Sequence, residues 1–551
     1  MTKRFLSEQF IVVCYLTGLK RYRHPNGTRY RRPFWRLRST SDETDRIIRD
    51  IRPEFDPHFY LAHNADVRAA RLDPVIHYVL EGWKESRDPN SFFSTADYLT
   101  AHPDVRSAGV NPFWHYIVAG RSEGRTVTGK YSNADRLKRV STIAAQEAHA
   151  SIMDRLDASL SVDQIKSALS GVQVANSLFI AVSHDNYKHV AGGIQLCLQI
   201  EEKAAQNAGG MYLQIFPFNS RTWLSRSDDD ALILGINFNG AFIGTSSAAD
   251  FFAALRTYAL PKARLVIHSL LGHSPSFLIK LNDLCDEDPV YWNHDHSSIC
   301  VSYNLLRNTI TCCDGPSVNS VQCKICVFGE ERADHLRRVQ GVFNALNPIV
   351  VSPSTFAREF WEQRTEYKHS QSVVVEHCRL GPPEHASTKS GTARIAFIGT
   401  AAYHKGWDVF LELATKFSRD DRYEFHAFGR HTPINSIHMH DVNVSEEGPA
   451  AMRDALAKNA IDIAVLWSQW PETFCFTAFE AISAGCFILT SGQSGNIASL
   501  VESTGRGELL RDKLELFNAF ESGETLRLVD RRRREAKQMP LVYSRMTADV
   551  V

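Results

Sequence analysis

The 551-residue sequence carries no excess charge of either sign. Lys and Arg together number 62, and so do Asp and Glu, which makes the formal net charge zero. A protein that holds nucleic acid along a bulk basic surface is thereby excluded, and we predict no nucleic-acid partner. Long apolar runs are also missing. The longest one near the start, residues 10–16, is far short of the roughly 20 residues that a bilayer-spanning helix needs.

The features of a secreted chain are equally absent. No small-residue cleavage site follows residues 10–16, and a dense basic stretch does. The eleven cysteines are an odd number in a long chain, unlike a secreted disulfide framework. We therefore expect a cytoplasmic protein whose cysteines are thiols or metal ligands. An apolar content of 44% and a charged content of 23% indicate a globular chain, long enough for three or four domains.

Residues 1–50 are basic although the whole chain is neutral. Lys and Arg residues between positions 20 and 38 are interleaved with Tyr22, Tyr30, Phe34 and Trp35. Such a segment can lie on the anionic inner face of a membrane, with about 1 kcal/mol of attraction per basic side chain. We predict this peripheral contact, and the alternative is a solvated tail without a partner.

Residues 53–128 contain a tandem repeat with a period of 38 residues. The recurring positions include the pairs Tyr60 and Tyr98, His77 and His115, and Gly82 and Gly120. Each copy predicts two short helices, separated at Asp73-Pro74 or Asn111-Pro112. Because each histidine lies beside a tyrosine in an apolar helix, hydrogen-bonded packing is favoured over metal binding. We interpret the repeats as a packing or docking module, followed by a helical linker over residues 129–175.

From residue 176 onward, apolar stretches of strand length alternate with amphipathic helices. This alternation predicts parallel sheets covered on both faces. A Pro382-Pro383 pair and a break to Thr392 interrupt the pattern before it restarts. The predicted fold class is therefore α/β, with two Rossmann-like doubly wound domains behind the helical repeats. They span residues 176–385 and 392–551, the second with C-terminal helices, and we expect a cleft between them.

The most informative motif lies between Trp470 and Gly485. Glu472 precedes a helix predicted to begin near Cys475, so the amides of residues 474–477, which are Phe474, Cys475, Phe476 and Thr477, offer an anion site at a helix N-terminus. Glu480 lies about one turn further into the helix and can reach ribose hydroxyls. The alternative is a buried amphipathic helix with two incidental carboxylates.

The spacing Glu472-x(7)-Glu480, with Ala481 to Gly485, resembles the donor motif of family-four glycosyltransferases, which are retaining enzymes of the GT-B fold. The resemblance implies that Glu472 contacts the donor sugar near its reacting carbon and that Glu480 binds the ribose. The repeat module is similar to pieces attached to bacterial surface-polysaccharide transferases.

A second motif surrounds Gly399 and Lys405. A strand, a loop with Gly399 and a helix after Lys405 place a cation where charge grows on a departing diphosphate. Lys405-Gly406 is similar to the family's Lys-Gly element, but Thr400 stands where an Arg usually follows the glycine. Diphosphate binding is thus expected to rest on Lys405, helped by His404 or Arg430, and the alternative is a surface lysine at a helix start.

Gly192-Gly193 and a group of histidines complete the predicted cleft. The paired glycines let the backbone approach a phosphate or an acceptor, although a tight turn explains them equally well. His184, His268, His294 and Asp295 follow first-domain strands, so we expect them at the carboxyl edge of the sheet, on the acceptor side. By position His268 is similar to the family's acceptor-side histidine and is our third catalytic candidate. For each histidine, a satisfied core position is the alternative.

Two further groups of residues suggest metal binding. Cys323-x(2)-Cys326, with Cys300 and either Cys312 or Cys313, can hold a structural zinc, and free or redox-linked thiols are the alternative. For the zinc site we choose Cys300, Cys313, Cys323 and Cys326. The acidic runs at residues 228–230 and 286–288 are interpreted as solvated turns.

We therefore predict a metal-independent glycosyltransferase that needs no cofactor for catalysis. It would move a sugar, with retention, from a nucleotide diphosphate sugar to a polysaccharide or lipid-linked glycan. The resemblance implies that the leaving phosphate takes the acceptor proton. A non-catalytic scaffold for polysaccharide assembly, which the missing Arg at position 400 favours, and a nucleotide-sugar epimerase on the same fold are the alternatives.

Overall fold

The structure, a computed structural model, describes most of residues 42–551. The described residues are 42–123, 125 and 159–551, except 65–66, 69–71, 91–92, 173–175, 191, 219–223, 225–231, 259, 261, 308–310, 325, 327, 386–390, 430–433, 435 and 536. Most of the predicted basic segment, most of the linker, the acidic run at 228–230 and Arg430 lie outside the described residues. The chain divides into two compact units, Met1–Arg139 and Val140–Val551.

The first unit consists of short helices. Its α-helices are α1 (Asp42–Ile51), α2 (Pro57–His63), α3 (Pro74–His77), α4 (Thr95–Ala101), α5 (Pro103–Ala108) and α6 (Pro112–His115). A 3-10 turn follows α1 at Arg52–Glu54, and π-helical turns extend α3 through Tyr78–Gly82 and α6 through Tyr116–Gly120. Asp73 and Asn111 cap α3 and α6 by accepting from the amides two and three residues ahead, with proline at the first helical position.

The contacts inside this unit recur at the 38-residue spacing. The hydroxyl of Tyr60 lies 2.8 Å from Nδ1 of His77, and that of Tyr98 lies 3.1 Å from Nδ1 of His115. Each histidine thus bonds to the tyrosine 17 positions earlier, while the adjacent Tyr78 packs into an aromatic core that includes Phe55.

The second unit contains two large sheets with helices on their faces. The elements of its first part are α7 (Val162–Ala168), β1 (Leu178–Val182), α8 (Gly193–Asn207), β2 (Met211–Pro217), β3 (Ile233–Phe238), β4 (Ala241–Ser247), α9 (Ala248–Leu255), β5 (Ala263–Ile267), α10 (Pro275–Asn282), β6 (Val290–Trp292), β7 (Leu306–Arg307), β8 (Thr311–Cys312), α11 (Val321–Lys324), α12 (Gly329–Leu346), β9 (Ile349–Ser352), α13 (Thr355–Glu362), β10 (Gln371–Val374), β11 (Cys378–Leu380) and β12 (Glu384–His385). The first large sheet has the order β10-β9-β6-β5-β1-β2-β3-β4.

This first sheet is parallel except at one edge. β3 and β4 form an antiparallel hairpin beside β2, whereas the alternation predicted parallel strands only. The hairpin turns at Asn239 and Gly240, both with positive φ, as a two-residue turn between twisted strands requires. The Asn239 side chain also accepts from the amide of Tyr212 at 2.9 Å, which ties the turn to β2.

The second large sheet is parallel throughout. The remaining elements are β13 (Ala393–Ile398), α14 (Trp407–Lys416), β14 (Tyr423–Phe428), β15 (His438–His440), α15 (Val444–Glu447), α16 (Ala451–Lys458), β16 (Ile463–Val465), α17 (Phe476–Ser483), β17 (Phe487–Ser491), α18 (Asn496–Thr504), β18 (Gly507–Leu510), α19 (Lys513–Ser522), α20 (Glu524–Glu535), β19 (Lys537–Gln538) and β20 (Leu541–Tyr543). Short 3-10 turns occur at Tyr403–Lys405 and Met546–Asp549.

The strand order of this sheet is β15-β14-β13-β16-β17-β18, which in chain order within the sheet is 3-2-1-4-5-6. Ile395 and Phe397 of β13 pack into the core on one face, and Ala396 and Ile398 pack into the core on the other. A strand that is buried on both faces has a continuous apolar sequence. The apolar run at residues 395–398 is the pattern that predicted this strand. The order reverses between β13 and β16, and ligands bind at such switch points in open α/β sheets.

The end of the chain returns to the first sheet. β19 and β20 pair with β12 and β11, and the following turn places Met546 in an apolar cluster with Trp292 and Cys197. None of the helices that the structure describes is both long and apolar enough to cross a membrane.

Candidate active site at the switch point of the second sheet

Lys405 and Glu472 meet at the carboxyl edge of the second sheet. Lys405 follows β13, Glu472 follows β16, and Nζ of Lys405 lies 2.8 Å from Oε1 of Glu472. The same carboxylate oxygen accepts from the Ser468 hydroxyl at 3.1 Å and from the Trp470 indole at 2.9 Å. Glu472 is 3% exposed, while the Lys405 side chain is 38% exposed. Two of the three predicted catalytic residues therefore form one ion pair, with the cation on the accessible side.

Burial and charge act in opposite directions on the lysine. Burial acts to lower the pKa of Lys405, but attraction to Glu472 and the hydrogen bond to its carboxylate outweigh it, so the pKa lies above the ordinary value. Lys405 is thus a cation at neutral pH. Burial, with a smaller contribution from Lys405, lowers the pKa of His404 to about 4. His404 is therefore neutral and adds no charge for a diphosphate.

Two glycines shape the loops that carry this pair. Gly406 has φ +82°, and a Cβ there would lie 2.0 Å from the carbonyl oxygen of Trp467. Gly495 has φ +64°, and its Cβ would lie 2.6 Å from the backbone N and O of Glu472. Gly495 also pairs with Glu472 in an isolated parallel bridge. Only glycine fits at either place.

The N-terminus of α17 lies directly after Glu472, as predicted. No side chain caps this helix, and within the described residues the amides of Phe476 and Thr477 have no hydrogen-bond partner. The amide of Cys475 donates instead to the Asn496 side chain at 3.3 Å.

The two predicted glycine loops lie close to this helix start. A Cβ at Gly399 would lie 3.7 Å from the Thr477 methyl group, and one at Gly193 would lie 3.6 Å from the Phe476 ring. Both glycine loops therefore adjoin the start of α17.

Glu480 lies on a buried face of α17. It is 3% exposed, and within the described residues it makes no hydrogen bond or ion pair, whereas we expected it to reach outward to a ribose. Burial raises the pKa of Glu480 to about 7. Burial also raises the pKa values of Cys378 and Tyr543 nearby, with a smaller contribution from the charge of Glu480. The two acids eight residues apart thus differ in environment, because Glu472 has a cation partner and Glu480 has none.

His268 and His294, two of the predicted acceptor-side residues, form a buried relay with Glu201. Nε2 of His268 lies 2.8 Å from Glu201, and its Nδ1 lies 2.9 Å from Nε2 of His294. Burial acts to raise the pKa of Glu201, yet His268 and hydrogen bonds from Thr547 and Tyr212 outweigh it, so the pKa is lowered. Both ring nitrogens of His268 are therefore occupied, and it is 1% exposed. His294, at 8% exposed, is the accessible end of the relay.

His184 and Asp295 lie beside this relay. Burial lowers the pKa of His294, and the rings of His377, His268 and His184 lower it further, so His294 is a neutral imidazole. Burial raises the pKa of Asp295, against hydrogen bonds from Ser297 and attraction from His184. The four predicted acceptor-side residues thus lie in one group.

The histidine loop and the Glu472 loop bond directly to each other. The Thr473 hydroxyl donates to the carbonyl of His294, and Nε2 of His296 lies 2.9 Å from the carbonyl of Pro471. The Ser354 hydroxyl donates to the carbonyl of Thr473 at 2.7 Å. The two halves of the predicted site, one from each sheet, therefore meet at one place.

The predicted zinc cysteines surround an arginine. Nη1 of Arg332 donates to Sγ of Cys323 at 2.7 Å, and its guanidinium also bonds to the carbonyls of Ile299 and Pro316. Burial raises the pKa of Cys300 to about 12 and raises that of Cys313 as well. Zinc at Cys300, Cys313, Cys323 and Cys326 stays a prediction. In the acidic run at 286–288, Glu287 pairs with Arg264 at 2.7 Å.

Comparison with known proteins gives only distant structural likenesses. No protein-family model matches the chain, and no curated protein matches it. Similar solved structures include HepE of Anabaena in complex with UDP and glucose, at 12% identity over 65% of this chain and 93% of that chain with a TM-score of 0.39. A glycosyltransferase from Rickettsia africae matches with the same four values. The trehalose-6-phosphate synthase OtsA matches at 11% identity over 65% of this chain and 94% of that chain, with a TM-score of 0.38. Likenesses at these values do not by themselves establish a shared activity.

Several residues of the site are absent from the sequence-based prediction. Ser468, Trp470, Gly495 and Asn496 hold Glu472 and the start of α17, and Glu201 anchors His268. Trp470 and Ser468 are close enough to Glu472 in sequence to have been proposed as its partners. Glu201 lies in the middle of α8, where a carboxylate is usually solvated, so nothing in the sequence indicated its burial.

Proposed function

We propose that the chain is a glycosyltransferase that moves a sugar from a nucleotide diphosphate sugar to a polysaccharide or lipid-linked glycan, with retention at the sugar carbon. The observation that carries the proposal is the junction of the two loops. The Lys405–Glu472 pair, at a sheet switch point, is hydrogen-bonded through Thr473 and Pro471 to the loop that carries His294. A donor held by the second sheet and an acceptor entering from the first would meet there.

The donor's diphosphate would lie between Lys405 and the start of α17. The unpartnered amides of Phe476 and Thr477 point their partial positive charge at this place, and the ammonium of Lys405 adds a full charge. Glu472 would contact the sugar near its reacting carbon, and Glu480 would bind the ribose. Reaching a ribose requires Glu480 to leave the buried position it has here, which the chain segment around Tyr543 covers.

The chemistry follows from where charge develops. As the bond between the sugar carbon and the diphosphate oxygen breaks, negative charge grows on the leaving phosphate, next to Lys405 and the helix amides. The acceptor hydroxyl forms the new bond on the same face of the sugar and gives its proton to that leaving phosphate. No separate base is needed, and the acceptor-side group of His184, His268, His294 and Asp295, whose most exposed member is His184, would orient the acceptor hydroxyl.

The remaining parts of the proposal concern partners. We propose that transfer needs no metal, that residues 1–50 contact an anionic membrane surface, and that the repeat module docks the enzyme. The C-terminal sheet would be the nucleotide-sugar domain of a GT-B fold.

The test begins with binding and ends with transfer. A panel of UDP, GDP and ADP sugars is screened for thermal stabilisation of the full chain, and the stabilising donors are then assayed for hydrolysis and for transfer to glycan acceptors. Lys405→Ala and Glu472→Ala should each reduce transfer at least about 100-fold while circular dichroism stays unchanged. Lys416→Ala is the matched control, because Lys416 pairs with Glu521 on the surface of the same sheet domain.

The outcomes separate the proposal from its alternatives. Near-normal turnover of either site variant would contradict the site. No stabilisation and no hydrolysis with any donor would instead favour the scaffold, for which Thr400 in place of an Arg is the supporting feature. Interconversion of the free nucleotide sugar without transfer would favour the epimerase.

A further inference from the structure

A thiol and two imidazoles converge behind the candidate active site. Cys197 belongs to α8, His294 follows β6, and His377 immediately precedes β11. One ligand atom from each lies within 4.8 Å of the others, and this is the one such group of three or more among the residues that the structure describes. The three residues are 0%, 8% and 2% exposed. Three distant segments therefore bring metal-binding atoms together in the interior.

Both imidazoles have an Nδ1 atom that makes no hydrogen bond to a described residue. Nδ1 of His377 is buried and has no hydrogen-bond partner within the described residues, and a buried polar atom without a partner is destabilising. His294 uses Nε2 for His268, and no described group bonds to its Nδ1. If the Nε2–H of His268 donates to Glu201, its Nδ1 accepts from Nε2–H of His294, which leaves a lone pair on Nδ1 of His294.

The surroundings match those of a metal centre. A carboxylate that orients a histidine is the usual support behind a metal-binding imidazole, and Glu201 orients His294 through His268. Trp292 stacks on His294 at 5.3 Å, and Phe476 stacks on His377 at 5.5 Å, so apolar rings enclose the group. One thiolate and two neutral imidazoles suit Zn²⁺, with bonds of about 2.0–2.3 Å. Closing the group around an ion thus requires side-chain shifts of about 1 Å or less.

We infer that Cys197, His294 and His377 bind one Zn²⁺ ion with a fourth position open. Binding converts the Cys197 thiol to a thiolate and releases its proton to solvent. Since His377 lies in the segment that links the two sheets, the ion would fasten this segment to α8 and to the loop after β6. The site differs from the cysteine cluster around Arg332 and does not depend on the proposed transferase activity.

Metal content of the full chain tests the inference. The purified protein is loaded with Zn²⁺, dialysed against a weak chelator, and analysed by mass spectrometry. We expect Cys197→Ser and His377→Gln each to hold one zinc fewer per chain than the unsubstituted protein. Cys486→Ser is the matched control, because Cys486 is 1% exposed and has none of these partners. Cys323→Ser tests the alternative cluster and should not change the zinc that Cys197 holds.

Cobalt substitution gives a second readout that does not rely on variants folding alike. Co²⁺ bound in a Cys323→Ser background should show a thiolate charge-transfer band and the strong visible absorption of tetrahedral coordination, and adding Cys197→Ser should remove the band. Equal zinc content in the unsubstituted protein, Cys197→Ser and His377→Gln would overturn the inference. So would a thiolate band that disappears with Cys323→Ser alone. Donor turnover enters neither measurement, so failure here leaves the proposed function untouched.

Discussion

The ion pair between Lys405 and Glu472 contributes more to the stability of the buried Glu472 carboxylate than to that of the Lys405 ammonium. Glu472 is 3% exposed, whereas Lys405 keeps 38% of its side chain in contact with solvent. If the carboxylate is removed, the ammonium can turn toward water. If the ammonium is removed, a carboxylate stays buried with only the Ser468 and Trp470 hydrogen bonds to satisfy it. A buried charge that loses its partner is the costlier of the two cases.

We therefore predict an order of stabilities at this pair. Lys405→Met should lower the free energy of unfolding by about 3 kcal/mol, and Glu472→Gln by about 1 kcal/mol, because the glutamine oxygen still accepts both hydrogen bonds. Urea unfolding at pH 7 measures both. Equal losses, or a larger loss for Glu472→Gln, would contradict the geometry of the pair.

Glu480 predicts a pH dependence of stability. Burial raises its pKa from 4.5 to about 7, so between these values the folded chain binds more protons than the unfolded chain. The contribution of Glu480 to the free energy of unfolding is therefore most favourable below about pH 4.5 and is lost as the pH rises to about 7. The total loss is at most about 3 kcal/mol. Glu480→Gln should remove this dependence and raise stability at pH 8 relative to the unsubstituted chain. Unchanged pH profiles would show that Glu480 is solvated or paired.

At the scale of elements, the sequence predicted those parts whose pattern is local. The apolar runs of β1 and β13, the helix after Glu472 and the helix after Lys405 follow from periodicity, and the structure has them where they were expected. Asn239-Gly240 is also a local signal, because this pair is typical of a two-residue hairpin such as the one between β3 and β4. The antiparallel edge of the first sheet thus has a local cause in the Asn-Gly turn.

Other features could not be predicted, because they depend on segments far apart in the chain. The partner of His268 is Glu201, 67 positions earlier, and the carbonyl that accepts from Thr473 belongs to His294, 179 positions earlier. The burial of Glu480 depends on β11 and β20, which pack on α17. Helical spacing shows which face of α17 Glu480 occupies, but not which element covers that face.

The turn before α18 offers a test at this scale. Gly495 and Gly505 both have φ +64°, but a Cβ at Gly495 would meet the backbone of Glu472, whereas at Gly505 nothing lies within 4 Å. Gly505→Ala should cost about 1 kcal/mol, the usual penalty for alanine in the left-handed region. Gly495→Ala should cost at least about 2 kcal/mol more and lower transfer, since Glu472 must move. Equal costs in thermal unfolding would show that this close approach is absent.

At the scale of the whole second unit, residues 541–551 connect the two sheet regions. β20 packs with β11 on α17, while Met546 lies in the apolar cluster beneath the first sheet. The Thr547 hydroxyl accepts from the Trp292 indole at 2.9 Å, and the Thr547 amide donates to Glu201 at 3.2 Å. The chain's last segment thus supports the same relay that ends at His294.

Removal of residues 541–551 should therefore separate the unfolding of the two sheets. The full chain is expected to unfold its second unit in one calorimetric transition, and the truncated chain in two. The first sheet should melt at the lower temperature because the Trp292 indole loses its partner and Glu201 loses one of its three partners. Val542→Ser is the control, since Val542 is 57% exposed and its loss disturbs no core. A single transition at an unchanged temperature in the truncated chain would show that the segment does not couple the sheets. Thr547→Val, which keeps the shape and removes the hydroxyl, should lower the temperature of the single transition of the second unit without splitting the peak.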